Sequence, residues 1–172
     1  LSTNGLLVKD RISVLKQVDS LAVSIDGAKA SNDVNRGEGS YERIFQAIEL
    51  LRKNRIKFHT HTVLTKNNPQ GIDEIMSFVR KYKVKAQFSS LRPESASDNE
   101  NCLSGEELRE AIKKIINYKK RGFPVFFSYD SYENVLAWPF SYSTQAAFQS
   151  LPSRYTPIPC YIKRFSCHIE PN

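Results

Sequence analysis

The feature that most constrains this chain is a regular exchange of β-type and helix-type runs. Ser20 to Ile25, Lys57 to Leu64 and Val84 to Ser89 are short and rich in β-branched or aromatic residues. Between them lie two helical stripes, Ile44, Ala47, Ile48 and Leu51, then Ile72, Ile75, Met76, Val79 and Tyr82. A strand-to-strand period of about 27 to 40 residues leaves room for a crossover helix each time, which a hairpin does not need. The pattern predicts α/β architecture: parallel, adjacent strands with helices on the outer face.

The flanking segments extend the pattern. Leu7 to Val18 carries apolar residues near helical spacing, Ser40 is placed to cap the helix that follows a Gly-rich loop, and Ser104-Gly105-Glu106-Glu107 reads as a capping box. That box opens a helix with Leu108, Ala111, Ile112, Ile115 and Ile116 on one side, stopped by Gly122. Pro124 to Ser128 is a fourth strand candidate. Arg92 to Leu103 reads as a surface loop, and Trp138 to Pro159 is aromatic, Ser-rich and irregular.

Charge and cysteine content narrow the function classes. The 172 residues carry a formal net charge of +7, with 40% hydrophobic and 25% charged residues. No run approaches the roughly 18 apolar residues of a membrane span, and the first residues do not read as a signal peptide. Cys102, Cys160 and Cys167 make a poor disulfide framework, which fits a reducing, cytoplasmic setting. Two clusters of basic residues stand out, Arg52 to Lys57 and Lys113 to Arg121. Such runs are read as solvated helix faces rather than as a nucleic-acid surface.

Chemistry-bearing residues collect where strands end. In the first strand Ser24 and Asp26 share one face with Ala22, and both fall at the strand's C-terminal end, where a (β/α) barrel builds its active site. Read alone, Asp26-Gly27 is also a plain turn. His59 and His61 sit two apart, so both project to one face while Thr60 and Thr62 take the other. Two imidazoles can share a metal, but no third ligand is near, and contact with a bound molecule or packing inside the barrel is the preferred reading. Arg36 offers a planar fork suited to a carboxylate; as a residue beside glycines it also reads as a surface guanidinium.

The longer pattern, Ser24-Ile25-Asp26-Gly27, Asn32-Asp33, Arg36-Gly37, Gly39-Ser40-Tyr41 and Ala47-Ile48-Leu51, resembles the fourth strand and helix of radical S-adenosylmethionine (SAM) enzymes. It is most similar to the branch with auxiliary-cluster SPASM or Twitch domains. Thr3-Asn4-Gly5 matches the end of that family's third strand and Asn67 an asparagine after its fifth, whereas Asn32-Asp33 stands where many relatives have His-Asp. Cys160 precedes Ile169 as the first cluster cysteine of a SPASM or Twitch segment precedes its turn; Cys167 has no matching position.

The resemblance implies a truncated, partial (β/α) barrel of the radical SAM type. Residues 1–150 would be the C-terminal part of that barrel, and 151–172 a linker and the start of the SPASM/Twitch-like segment. Ser24 would hydrogen-bond SAM, Asp26 would buttress the site, Arg36 would pair with a carboxylate, and His59 or His61 would contact SAM or substrate. Cys160 and Cys167 would be the metal-ligating residues of the auxiliary segment. The family's CxxxCxxC loop, which holds its catalytic [4Fe-4S] cluster, has no counterpart here. The implied parent enzyme cleaves SAM to a deoxyadenosyl radical, draws electrons from a donor and acts on a peptide or small molecule. The chain by itself is expected to be inactive, to lack a stoichiometric cluster and to self-associate through an open sheet edge. A non-catalytic half-barrel module with a basic face for peptide or nucleic acid, and an unrelated barrel fragment, are the competing readings.

Overall fold

A computed structural model describes residues 1–91 and 100–137 of the chain. Four strands form one sheet: β1 (Ser2–Thr3), β2 (Ala22–Ser24), β3 (His59–Leu64) and β4 (Ala86–Ser90), in the order β1-β2-β3-β4. Every neighbouring pair is parallel. Helices α1 (Ile12–Leu15), α2 (Lys29–Arg36), α3 (Ser40–Lys53), α4 (Gly71–Tyr82), α5 (Gly105–Lys120) and α6 (Tyr129–Leu136) complete the described elements. The three parallel strands expected from the alternation are present and adjacent, and the chain has α/β architecture.

Pleating explains which strand face the helices cover. Val23, Ile25, Thr60, Thr62, Leu64, Ala86 and Phe88 are buried on one parity, matched by Ile44, Ala47, Ile48 and Leu51 of α3 and Ile72, Ile75, Met76 and Val79 of α4. These are the apolar stripes of the sequence, and they form the core. Thr60 and Thr62 are tolerated there because their hydroxyls are satisfied: Thr62 Oγ1 donates to the Ile25 carbonyl at 2.6 Å, Thr60 Oγ1 to that of Lys85 at 3.4 Å.

Four local expectations change. Leu7 to Val18 yields only a 3-10 turn at Lys9–Arg11 and the single turn of α1. Val8 and Leu15 are buried, but Leu6, Leu7 and Val14 remain exposed, and a helix with little to pack against is marginal. The Gly-rich loop contains the two-turn helix α2, whose one buried side chain is Asn32. Its inward face is polar, so it gives no apolar period.

Ser40 does not cap α3. Gly39, in the left-handed region, precedes the helix, and the carboxylate of Asp33 takes the capping role from α2. It accepts from the Gly39 and Tyr41 amides at 3.2 and 2.8 Å and from Ser40 Oγ at 3.0 Å. Those bonds, led by the one from Tyr41, hold the Asp33 carboxyl below the usual carboxylate range.

The segment from Pro124 to Ser128 contributes a single parallel bridge, Ala86 with Val125, in place of a strand. Ser128 caps α6 by accepting from the Ser131 amide, which turns the chain away after Phe127. The capping box is formed as expected: the Ser104 amide donates to Glu107 Oε2 at 2.7 Å, and the Glu107 amide to Ser104 Oγ at 3.2 Å. The loop expected at 92–103 lies mostly outside the described residues. So do the boundary expected at residue 150, the irregular segment from Trp138 to Pro159, Cys160 and Cys167.

Candidate active site

The sheet face away from α3 and α4 is polar. Ser24 pairs in register with His61, and His61 with Gln87, so these three side chains form one row across β2, β3 and β4. A parallel register keeps paired side chains on the same face. One row nearer the strand starts stands His59, opposite Ala22. Each imidazole leans one step toward β4: His59 Nε2 lies 3.0 Å from Gln87 Oε1 and His61 Nε2 2.9 Å from Ser89 Oγ. The structure therefore brings Ser24, His59 and His61 together on one face.

Asp26 follows that parity, but its carboxylate turns toward the end of β3. Only 3% exposed, it accepts from the Val63 amide at 2.9 Å and from Arg36 Nη2 at 3.1 Å, both through Oδ1. Arg36 Nε is 2.8 Å from Oδ2, close enough for ion pairing although its N–H points off the line to that oxygen. The carboxylate that faces Arg36 is thus the protein's own.

Two asparagines fix this pair. Asn32, fully buried, accepts from the Asp26 amide at 3.0 Å and donates to Ser40 Oγ at 2.8 Å. It ties the end of β2 to the start of α3. Asn68 Nδ2 donates to the carbonyls of Asp26 and Val63 at 3.1 and 2.9 Å, while its Oδ1 accepts from the Thr65 amide at 2.8 Å. Asn67, singled out by resemblance, bonds instead to Thr65 Oγ1 and Asn101. Sequence reasoning missed Asn68, and the adjacent pair offered no signal for choosing between them.

Beside the network a pocket of about 250 Å³ is lined by Asn4, Asn35, Arg36, Ser40 and Arg43, among others. Asn35 Nδ2 is buried at its wall without a hydrogen-bond partner among the described residues. Buried amide donors are rarely left so. The pocket can accept a small polar ligand carrying acceptor oxygens.

Burial is the main reason both histidines ionise below the usual 6.5; Arg36 pushes His61 further down, and Asp26 partly offsets it. Both imidazoles are therefore neutral near neutral pH. In the unfolded chain they gain protons as pH falls through about 6.5, while the folded chain resists. Their contribution to stability is accordingly neutral above that pH, turns unfavourable below it and levels off below the folded values. The urea midpoint of the His59→Gln/His61→Gln variant should fall less steeply than that of the parent between about pH 7 and pH 5. Equal slopes would exclude these groups as the source.

Among the described residues no group of three or more His, Cys, Asp and Glu could hold a metal ion, and none of their helices is long and apolar enough to cross a membrane. Cys102, the described cysteine, directs its thiol at the Leu91 carbonyl, 3.7 Å away.

A parallel sheet with helices on one face, a polar opposite face and ligand-sized space at the C-terminal strand ends defines a sector of a (β/α) barrel. Residues 1–79 match the family model of the Radical SAM superfamily. An AdoMet-dependent heme synthase of Methanosarcina barkeri (strain Fusaro / DSM 804) is 38% identical over 85 residues, 46% of this chain and 24% of that protein. The mycofactocin maturase MftC of Mycolicibacterium smegmatis (strain ATCC 700084 / mc(2)155) is 28% identical over 97 residues, 54% of this chain and 25% of its own. The chain thus spans about a quarter of the length of each. The solved structure of native anSMEcpe with bound AdoMet and Cp18Cys peptide superposes with a TM-score of 0.58 at 17% identity, over 73% of this chain and 39% of that one. That likeness shows the fold: this chain superposes on part of that structure.

Proposed function

We propose that these residues form the C-terminal half of the barrel of a longer, cytoplasmic radical SAM enzyme acting on a peptide or a small precursor. The observation that carries the reading is the row Ser24, His61 and Gln87 on the open face, together with a pocket lined by Arg36 and by Asn35, whose amide has no partner among the described residues. Ser24 and the Asn35 amide would hydrogen-bond the ribose or amino-acid end of SAM, and Arg36 would face its carboxylate while held by Asp26. His59 and His61, both neutral, would orient SAM or substrate by hydrogen bonds without adding charge to the barrel interior. SAM and a [4Fe-4S] cluster, when bound, supply the reductive cleavage that gives a deoxyadenosyl radical. The cluster's cysteines and the electron-donor surface would lie elsewhere in the longer protein. Residues 151–172 would open a SPASM/Twitch-like segment, with Cys160 as a cluster ligand and Cys167 as a second candidate. The relatives, a heme synthase and a maturase, fit both substrate classes.

The test compares this chain with a longer protein that includes an upstream CxxxCxxC loop and continues past Asn172. After anaerobic reconstitution, the longer protein should hold iron and sulfide and release deoxyadenosine on addition of a strong reductant; the chain alone should do neither. Ser24→Ala in the longer protein should raise the KM for SAM about tenfold, the worth of one well-placed hydrogen bond. A longer protein that binds no iron would leave the half-barrel binding module as the better reading.

A further inference from the structure

The end of the sheet opposite the candidate site carries a second feature, which shares His59 with the first. Where the strands begin, Arg52, Arg55, Lys57, Lys83 and Lys85 surround a depression of about 550 Å³, with Asp19 the acidic residue on its rim. All five cationic side chains are exposed. Arg52 lies 3.5 Å from Glu49; the other four have no ion-pair partner among the described residues. The floor is apolar, with Leu21 and Ile56 buried and the Phe126 ring 40% exposed. Lys85 Nζ sits 6.0 Å over that ring.

Backbone conformation marks the depression further. Helix α3 ends in a Schellman turn: the Arg55 amide donates to the Arg52 carbonyl at 2.9 Å and the Ile56 amide to that of Leu51 at 2.9 Å. Helix α4 ends alike, with the Lys83 amide donating to the Val79 carbonyl and the Val84 amide to the same oxygen at 3.2 Å. Arg55 and Lys83 each have φ of 56°, and they are the described non-glycine residues with positive φ. This left-handed position is where helices ordinarily place glycine. Twice in succession the chain has put a long cation there instead, and both line the same depression.

We propose that this depression is a docking surface for an acidic protein partner. The partner's chemistry follows from what surrounds the cations. Two helices deliver their C-terminal, carbonyl-bearing ends here, which disfavours a compact phosphate; such a group is held by amides at helix N-termini. The cations ring a single basin with an apolar floor rather than tracking a groove, as a nucleic-acid backbone requires. A charged rim around an apolar centre is the layout of a protein interface, and its long-range field accelerates encounter with carboxylate-rich surfaces.

The test exploits the two left-handed positions. Arg55→Gly/Lys83→Gly removes two charges while giving the backbone the residue it favours, so the variant should fold with an unchanged or higher thermal midpoint. Stopped-flow association of fluorescein-labelled poly-L-glutamate with the full chain should be slowed about tenfold in the variant, and the parent's rate should fall steeply with added salt. A single-stranded oligonucleotide of equal charge should bind more weakly than the peptide, and inorganic phosphate should not compete. No peptide binding, an unchanged rate in the variant, or tighter binding of the oligonucleotide would each overturn the proposal.

Discussion

Asp26→Ala is expected to cost about 3 kcal/mol of folding stability, because it strands a guanidinium and a backbone amide that have no other protein partner among the described residues. Asp26 is 3% exposed and serves both the Val63 amide and Arg36. Removing one member of a buried pair costs about 3 to 5 kcal/mol in general. The Arg36 side chain is 22% exposed, so part of its charge can turn to water, and the lower end of that range applies. Asp26→Asn keeps the size and an acceptor for the Val63 amide and should cost clearly less. Urea unfolding at neutral pH reads both. Equal losses in the two variants would mean that the Val63 bond contributes nothing, and a loss under about 0.5 kcal/mol in the first would mean that Arg36 does not depend on this carboxylate.

Gly27→Ala should be comparably damaging, at about 3 kcal/mol, for a steric reason. Gly27 has φ of +147°, a region that L side chains rarely adopt, and an added Cβ would lie 2.8 Å from Ser31 Cβ and press on the Glu74 carboxylate. Glu74 Oε2 accepts from the Ala28 amide at 2.8 Å, a bond across 46 residues that fixes the start of α2 against α4. The strain and the collision can be separated. In Gly27→Ala/Glu74→Ala the carboxylate is gone, so the double variant should lose less than the sum of the single losses, a coupling readable by urea unfolding. Additive losses would show that Glu74 is not what the new methyl meets.

Both predictions fall in Ser24-Ile25-Asp26-Gly27, the stretch whose place at a strand end was legible without coordinates. Period-2 alternation put Ser24 on the same face as Asp26 and His59 on the same face as His61, and the register confirms that Ser24 and His61 share a row. The apolar stripes of α3 and α4 were equally plain, since burial against a sheet leaves a 3.6-residue period in the sequence. Helix α2 was not, because the side chain it buries is Asn32. Nor could the capping of α3 by Asp33 be read from composition: a serine at the right place looked sufficient, while the acceptor came from the preceding helix.

The sequence by itself thus determined the class of fold, the parallel and adjacent placing of three strands, and that Ser24 shares a face with Asp26 and His59 with His61. These depend on short-range periodicity and chain sterics, which any local window contains. Only the tertiary structure decided that Arg36 meets Asp26, that Asn68 rather than Asn67 reaches the Asp26 loop, and that the cations at the ends of α3 and α4 share one basin. Those contacts join residues between 10 and 42 positions apart in the network. Their partners are chosen by distance and hydrogen-bond direction after the sheet has assembled, and neither quantity leaves a period in the chain.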